Sequence, residues 1–247
     1  MKYALALVLS GIVGVAATPR ASAEPVLRHL AFSVNAGVAQ TQEQARTNAL
    51  SDGSGAGPAM TVSGATSTAS SRTIVRGTVT LDVIAVLPSD DALAVLISES
   101  GDKTIVPVRI DLLGDGRIIT APGDRGKLTH EELEIAGLCA RNYLAGRPLP
   151  AGAVWNVEDE RVQSNYRVLS TNGERVALVI EQNARGRAAG AGDQRSTIQL
   201  TYDTKRSVPV AATIQRRSHL GSLGDLRTID ESFEYRLTSD SFATAAK

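Results

Sequence analysis

Apolar and polar residues alternate with a period of two along most of the chain that follows residue 29. The first run places Leu30, Phe32 and Val34 on one side and polar or small residues on the other. The same alternation recurs in five later runs: Val79–Val83, Val106–Leu112, Val176–Ile180, Ile198–Tyr202 and Phe233–Leu237. Strands that are apolar on one face only are typical of antiparallel sheets with one solvated face. The pattern therefore predicts a sheet that is antiparallel.

Turn-forming residues separate neighbouring runs at Pro88–Asp91, Gly114–Gly116 and Thr171–Gly173. Asp-Gly and Asn-Gly pairs supply the positive φ angles that tight hairpins need. We therefore expect hairpins between strands that are adjacent in sequence, which makes the sheet a meander. Pro107 and Pro209 fall within apparent strands and lack an N–H donor, so we expect them at a sheet edge or a bulge.

Residues 130–145 carry the one convincing helical pattern. Thr129 and Glu132 have the spacing of a capping box, and Leu128 and Leu133 flank it as a hydrophobic staple. Gly146 and Pro148 are suited to ending the helix. The expected apolar face consists of Leu133, Ala136, Gly137, Ala140 and Leu144, widened by Leu138 and Cys139. This segment is predicted to be an amphipathic helix packed on the sheet.

The predicted fold class is mainly β (α+β). An antiparallel meander forms a curved sheet, a half-barrel or a barrel, with helix 130–145 packed on it. Residues 24–247 form a single β-rich domain, or two β halves, 24–128 and 148–247, joined by the helix. Residues 41–71 are mostly Ala, Gly, Ser and Thr, which predicts a mobile low-complexity loop. Residues 184–194 form a hairpin loop or, through Arg185, Arg187 and Arg195, an anion-binding nest.

The first 23 residues have the organisation of a secretory signal peptide. Lys2 precedes an apolar run over Ala4–Ala17, and Ala21-Ser22-Ala23 is a small-residue cleavage site. The run is shorter than the ~20 residues that span a bilayer, and no second such run follows, so no transmembrane segment is expected. We expect cleavage after Ala23 and export to the periplasm or the extracellular space.

The net charge and the cysteine count limit the classes of partner and of covalent cross-link that can be expected. The chain has 26 Lys and Arg residues against 26 Asp and Glu residues, a formal net charge of zero. A near-neutral chain has no electrostatic basis for binding nucleic acid, so no nucleic-acid partner is expected. Its single cysteine, Cys139, allows no internal disulfide and lies on the apolar helix face, where packing explains it.

The sequence offers no catalytic, cofactor-binding or metal-binding residues. His29, His130 and His219 lie far from one another and from Cys139, whereas zinc sites need three or four ligands that commonly occur in local pairs. A G-x-S-x-G elbow is absent. Ser100 to Lys103 matches S-x-x-K without the further elements of the penicillin-recognising enzymes. We therefore predict no cofactor.

The segment between the helix and the next strand contains Leu149, Pro150, Gly152 and Trp155. Pro150 makes this connection stiff. Trp155 is expected where the new strand meets the core, with a stacking platform for a ligand as the alternative. This Leu-Pro-x-Gly-x-x-Trp junction between two β halves resembles a group of exported, β-rich bacterial proteins of unknown function. The resemblance implies export and β structure, and it implies no activity.

Three hypotheses for function follow. The first is an exported, non-catalytic β-protein that acts as a binding or envelope-associated module, with an envelope component as partner. The second is a periplasmic carrier of a lipid or another hydrophobic small molecule, because short antiparallel strands with one amphipathic helix can enclose an apolar cavity. The third is an unrecognised hydrolase, since catalytic triads are defined by geometry and not by sequence order.

Overall fold

A computed structural model describes residues 25–46, 65–87, 91–101, 106–140, 149–158, 162–184, 192–222 and 225–242. It contains one helix, α1 (His130–Ala140), and a 3-10 turn at Arg125–Lys127. The strands are β1 (Arg28–Arg46), β2 (Ala65–Leu87), β3 (Ala92–Gly101), β4 (Val108–Leu113), β5 (Ile118–Thr120), β6 (Val154–Glu158), β7 (Val162–Asn172), β8 (Arg175–Ala184), β9 (Gln194–Asp203), β10 (Val208–Ser222) and β11 (Asp225–Asp240). The predicted mainly β class is confirmed.

All eleven strands belong to one antiparallel sheet with the order β5-β4-β3-β2-β1-β11-β10-β9-β8-β7-β6. Two meanders, β1–β5 and β6–β11, meet where β1 pairs with β11. The curved antiparallel sheet is confirmed, whereas the closed barrel is wrong, because β5 and β6 are the two edges of an open sheet. With three and five residues, β5 and β6 present little backbone for a closing pair.

One face of the sheet, here called the inner face, holds the core. Val34 lies opposite Tyr235, Ala36 lies opposite Phe233, and all four residues are buried. The core cluster extends from β1 across both meanders and includes Leu81 on β2, Ile110 on β4, Leu178 on β8 and Ile214 on β10. The alternation read from the sequence is therefore confirmed, and its apolar side defines the inner face.

Helix α1 packs on the inner face against β2, β3, β4, β5 and β10. Its capping box is confirmed, since Glu132 N donates to Thr129 Oγ1 at 3.1 Å and Thr129 N donates to Glu132 Oε2 at 2.9 Å. The expected apolar face is partly wrong: Ile135 is fully buried and was not included, while Leu133 is only half-buried. The capping box turns Glu132 inward, and Ile135 follows one turn later on the same side. Residues 141–145 of the predicted helix lie outside the described residues.

The loop expected over residues 41–71 is wrong at both ends, since residues 41–46 and 65–71 belong to paired strands. Strand β1 continues to Arg46 and pairs there with Ala65, the first residue of β2. The Thr, Ser and Ala residues of this stretch lack an apolar pattern, yet their backbone groups pair across the ladder without one. Residues 47–64 lie outside the described residues, as do residues 1–24 with the expected signal peptide.

The turn residues occupy the positions that their chemistry favours. Gly116 and Gly173 have φ angles of 91° and 58° in the β4–β5 and β7–β8 turns. Strand β10 has a bulge between Pro209 and Ala211, as expected for a proline within a strand. Pro107, in contrast, directly precedes the first residue of β4. Within the described part of the chain, no helix is long and apolar enough to cross a membrane.

Candidate functional site

The inner face contains an apolar cavity of about 230 Å³ that is bounded by β1–β4, β10 and the end of α1. Its walls are leucine and valine side chains: Leu30, Leu81, Val83, Val95, Leu112 and Val208. Around its mouth lie Leu27, Val86, Leu93 and Phe242, of which Val86 and Phe242 are 58% and 59% exposed. The cavity therefore opens through an apolar rim.

Three residues with polar side chains also line this cavity: Arg28, Cys139 and Ser207. Burial raises the pKa of the Cys139 thiol to about 12, although the positive charge of Arg28 partly opposes this effect. Cys139 is therefore a neutral, weakly reactive group at the cavity wall. Ser207 ends the turn between β9 and β10 with a φ angle of 50°, a conformation that few residues other than glycine adopt.

Arg28 is held by a bidentate ion pair across the junction of the two meanders. Its Nε and Nη2 atoms donate to the two carboxylate oxygens of Asp240 at 3.1 and 3.0 Å. The Asp240 side chain is only 2% exposed, and it also accepts from Arg206 Nη1 at 3.4 Å. Burial works most strongly against ionisation of Asp240, but the hydrogen bonds and charge of Arg28, the N–H of Phe242 and the charge of Arg206 together outweigh it and lower the pKa of this carboxyl.

Asp240 accepts hydrogen bonds from only two of the three nitrogen atoms of the Arg28 guanidinium. Its Nη1 atom has no hydrogen-bond partner among the residues that the structure describes. The guanidinium carbon lies 5.0 Å from the centroid of the Phe242 ring at the cavity mouth, within the range of a cation–π contact. An apolar cavity thus carries one cationic group with available N–H donors.

A second ionic cluster fastens the start of α1 to β10 and β11. His130 Nδ1 lies 3.1 Å from Glu231 Oε1, and Nε2 lies 3.3 Å from Glu134 Oε1. Arg216 pairs with both carboxylates, at 2.5 Å to Glu134 and 3.3 Å to Glu231.

The protonation of His130 depends on two opposed contacts. Hydrogen bonds to Glu134 and Glu231 raise its pKa to about 9. Arg216 Nη1 lies 2.7 Å from Nε2, a separation that suits the neutral ring because Nε2 must then accept. We assign the cation at neutral pH, since two carboxylates contact the ring and Nη1 has Glu231 as another acceptor. His130 and Arg216 each contact both carboxylates, which ties the start of α1 to β10 and β11, so we assign the cluster a structural role.

Two buried carboxylates meet below the helix start. Thr129 Oγ1 donates to Glu99 Oε2 at 2.8 Å, and the same hydroxyl accepts from the N–H of Glu132. Glu99 and Glu132 are 5% and 0% exposed, and Glu132 Oε1 has no hydrogen-bond partner within the described segments. Burial raises the pKa of Glu132, and the nearby charge of Glu99 adds to the effect. Thr129 therefore links the helix cap to β3.

The opposite face carries a polar groove of about 520 Å³. Arg72, Asp230, Arg217 and Arg195 lie on one row of paired residues that crosses β2, β1, β11, β10 and β9. Arg217 donates to Asp230 at 2.6 Å, while Arg72 and Arg195 have no ion-pair partner among the described residues. Arg195 thus lies in β9, and residues 185–191 of the hypothesised nest lie outside the described residues.

The three histidines occupy separate places. His29 Nδ1 lies 2.6 Å from Asp82 Oδ1 on β2, and His219 Nδ1 lies 3.2 Å from Thr228 Oγ1 on β11. Within the described ranges, no histidine ring contacts both a carboxylate and a hydroxyl, and no group of three His, Cys, Asp or Glu side chains could hold a metal ion. Lys103 of the S-x-x-K match lies outside them.

Arg28 and Asp240 are the site residues that sequence reasoning missed. They are 212 positions apart, and each lies at the end of a strand that reads as ordinary β alternation. The pairing of β1 with β11 brings them together, and no local sequence motif predicts that pairing. Cys139, which the sequence assigned to the apolar helix face, does contribute to the cavity wall.

No protein family matches this sequence, and no curated protein sequence does. A solved structure with a similar fold is one of lipovitellin, titled "Lipid-protein interactions in lipovitellin". The similarity has a TM-score of 0.50 at 12% sequence identity and covers 88% of this chain but 26% of that chain. The present chain thus corresponds to about a quarter of lipovitellin, and the likeness concerns the fold alone.

Proposed function

We propose that this chain is an exported binding protein that carries a hydrophobic small molecule in the cavity of its inner face. The observation that supports this function best is the cavity itself. It is lined by leucine and valine side chains beneath a curved open sheet, and its rim is apolar as well.

Burial of apolar area favours a hydrocarbon chain as the ligand. A hydrocarbon chain in this cavity would exchange water for leucine and valine contacts, which contributes roughly 25 cal/mol for each Å² removed from water. A volume of about 230 Å³ is below the range of about 300–1,000 Å³ of sites for drug-sized ligands, so it suits part of one chain. Leu27 and Val86 at the rim, 53% and 58% exposed, could cover the remainder.

Two further facts are consistent with this function. The first 23 residues have the features of a signal peptide, and a carrier outside the cytoplasm would meet lipids of the envelope. The fold shared with lipovitellin, a protein whose structure is described by its interactions with lipid, is compatible with a lipid-like ligand. A carrier needs no catalytic group, which agrees with a cavity wall composed mainly of hydrocarbon.

The experiment is binding of the neutral fluorescent probe N-phenyl-1-naphthylamine and its displacement by 1-decanol. Val86→Phe would crowd the cavity mouth, and because Val86 is 58% exposed, the fold should accept the larger side chain. Ile119→Phe is the matched control, since Ile119 is 51% exposed on β5 and does not line the cavity.

We expect the parent and Ile119→Phe to bind the probe and release it to decanol, and Val86→Phe to bind decanol about tenfold more weakly. A parent chain that neither binds the probe nor responds to decanol would overturn the proposal. So would equal binding by the two phenylalanine variants, because the ligand would then lie elsewhere.

A further inference from the structure

We propose that Arg28 makes this cavity selective for an amphiphile that ends in an oxyanion, so that the anionic group meets the guanidinium and the apolar chain enters the cavity. This inference rests on the proposed function and adds the chemical class of the ligand. A carboxylate and a phosphate monoester share the required chemistry, namely an oxygen acceptor with negative charge at the end of a hydrocarbon chain.

The guanidinium is held in place before any ligand arrives. Its side chain is 16% exposed, and two hydrogen bonds to Asp240 fix the orientation of its plane. The ring of Phe242 lies near the guanidinium carbon, at 5.0 Å. Because Arg28 is already ordered, a ligand that binds it loses less conformational entropy of the protein than one that must first order a surface arginine.

Arg28 retains donors for a ligand. Its Nη1 amino group has two N–H donors and no partner among the described residues, while Nε and Nη2 are engaged. Hydrogen bonds between a guanidinium and an oxyanion are roughly twice as strong as neutral ones. A hydroxyl at the same place would accept a hydrogen bond without the charge.

The carboxylate of Asp240 does not exclude a second anion. Asp240 also accepts from Arg206 Nη1 at 3.4 Å and from the N–H of Phe242 at 3.1 Å, so its charge is shared among several donors. Arg206 in turn pairs with Asp203 at 2.8 Å. Two guanidinium groups thus balance two carboxylates, and the approaching oxyanion meets no net negative charge.

The register of the sheet places the apolar chain beside this group. Arg28 lies opposite Val83, and two residues along β1, on the same face, Leu30 lies opposite Leu81. All four residues line the cavity. Successive residues on one face of a strand are about 6.6–6.8 Å apart, so the hydrocarbon wall begins one step from the guanidinium.

The experiment compares decanoate, decyl phosphate and 1-decanol as competitors for N-phenyl-1-naphthylamine at pH 8. The variants are Arg28→Gln, which removes the cation, and Arg28→Lys, which keeps the charge but not the fork. The matched control is Arg217→Gln, because it removes one guanidinium from the opposite face of the sheet, where Arg217 pairs with Asp230 and does not line the cavity. Circular dichroism confirms that each variant is folded.

We expect the parent to bind at least one of the two anions about tenfold more tightly than decanol, in keeping with a charge-assisted hydrogen bond. Arg28→Gln should abolish this preference, Arg28→Lys should retain part of it, and Arg217→Gln should retain all of it. A preference for only one of the anions identifies the headgroup.

Two results would overturn the inference, and they are distinguishable. If decanol competes as well as both anions in the parent, the selectivity does not exist, although the proposed carrier function stands. If none of the three displaces the probe, the carrier function fails and the inference fails with it. The comparison of ligands on the parent decides the matter even where Arg28→Gln does not fold.

Discussion

Trp155 and Tyr166 stack with ring centroids 5.1 Å apart and planes inclined by only 2°. They face each other across the β6–β7 pair, where β6 is an edge strand of five residues. Trp155 is half-buried and packs against the core cluster, whereas Tyr166 is 6% exposed and belongs to it. The single tryptophan therefore lies where the strand that follows the helix meets the core, as the sequence predicted. Its packing holds the edge strand β6 against the core.

Trp155→Ala should destabilise the fold by about 2 kcal/mol, less than the roughly 3–5 kcal/mol of a fully buried aromatic residue, because part of Trp155 stays exposed. The measurement is the urea midpoint, followed by circular dichroism. Trp155→Phe is the control and should recover more than half of the loss, since it keeps a ring above Tyr166. A Trp155→Ala midpoint equal to that of the parent would contradict the structural role.

Thr129→Ala should cost about 1–2 kcal/mol, at the upper end for the loss of a helix cap. The hydroxyl accepts a hydrogen bond from the N–H of Glu132 and donates one to the carboxylate of buried Glu99. Its removal therefore leaves Glu99 with one donor fewer. Thr129→Ser keeps the oxygen and should stay close to the parent. Equal unfolding free energies for the alanine and serine variants would show that the cap is unimportant.

The stability of the fold should fall between pH 6.5 and about 9 through His130. Because its folded-state pKa lies above the ordinary value, its contribution is fully present below pH 6.5 and is lost as the pH rises through about 9. Urea midpoints across this range should decline in the parent and decline less in His130→Gln. The variant retains Cys139, so the difference between the curves isolates the histidine; parallel curves would refute the assignment.

Cys139 should react slowly with N-ethylmaleimide in the folded chain. A pKa raised to about 12 from 9.0 leaves little thiolate at pH 8, and a cavity wall restricts access. We expect a rate at least about tenfold lower than in the urea-unfolded chain, measured by mass spectrometry of the alkylated product. Equal rates in the two states would show that the thiol does not lie in an enclosed place.

Most of the fold could be predicted from the sequence because each hairpin joins strands that are adjacent along the chain. Period-two alternation identifies the face of a strand, and pairs such as Asn172-Gly173 locate the turns. Residues 41–46 and 65–71 could not be recognised as strands because they lack alternating apolar residues, and only the ladder between β1 and β2 reveals them. The helix face was misjudged at Ile135, since the rotation of the helix on the sheet depends on contacts such as that of Thr129 with Glu99 on β3.

The candidate site could not be predicted in the same way. Arg28 and Asp240 are joined by the pairing of the first strand with the last, a contact with the highest sequence separation in the sheet. Nothing local in either segment specifies it, because each carries only a charged residue at the end of an alternating run. A cavity is likewise a property of how well the side chains fill the space between sheet and helix, which composition does not fix.

The most direct test of the carrier function uses Cys139 as a reporter, because the only cysteine of the chain lines the cavity. Alkylation by N-ethylmaleimide is timed with and without saturating 1-decanol, in the parent and in Val86→Phe, and the urea-unfolded chain controls for effects on the reagent. If decanol occupies the cavity, it should slow the alkylation of the folded parent several-fold, slow that of Val86→Phe less, and leave the unfolded chain unaffected. An alkylation rate in the folded parent that decanol does not change would contradict the account.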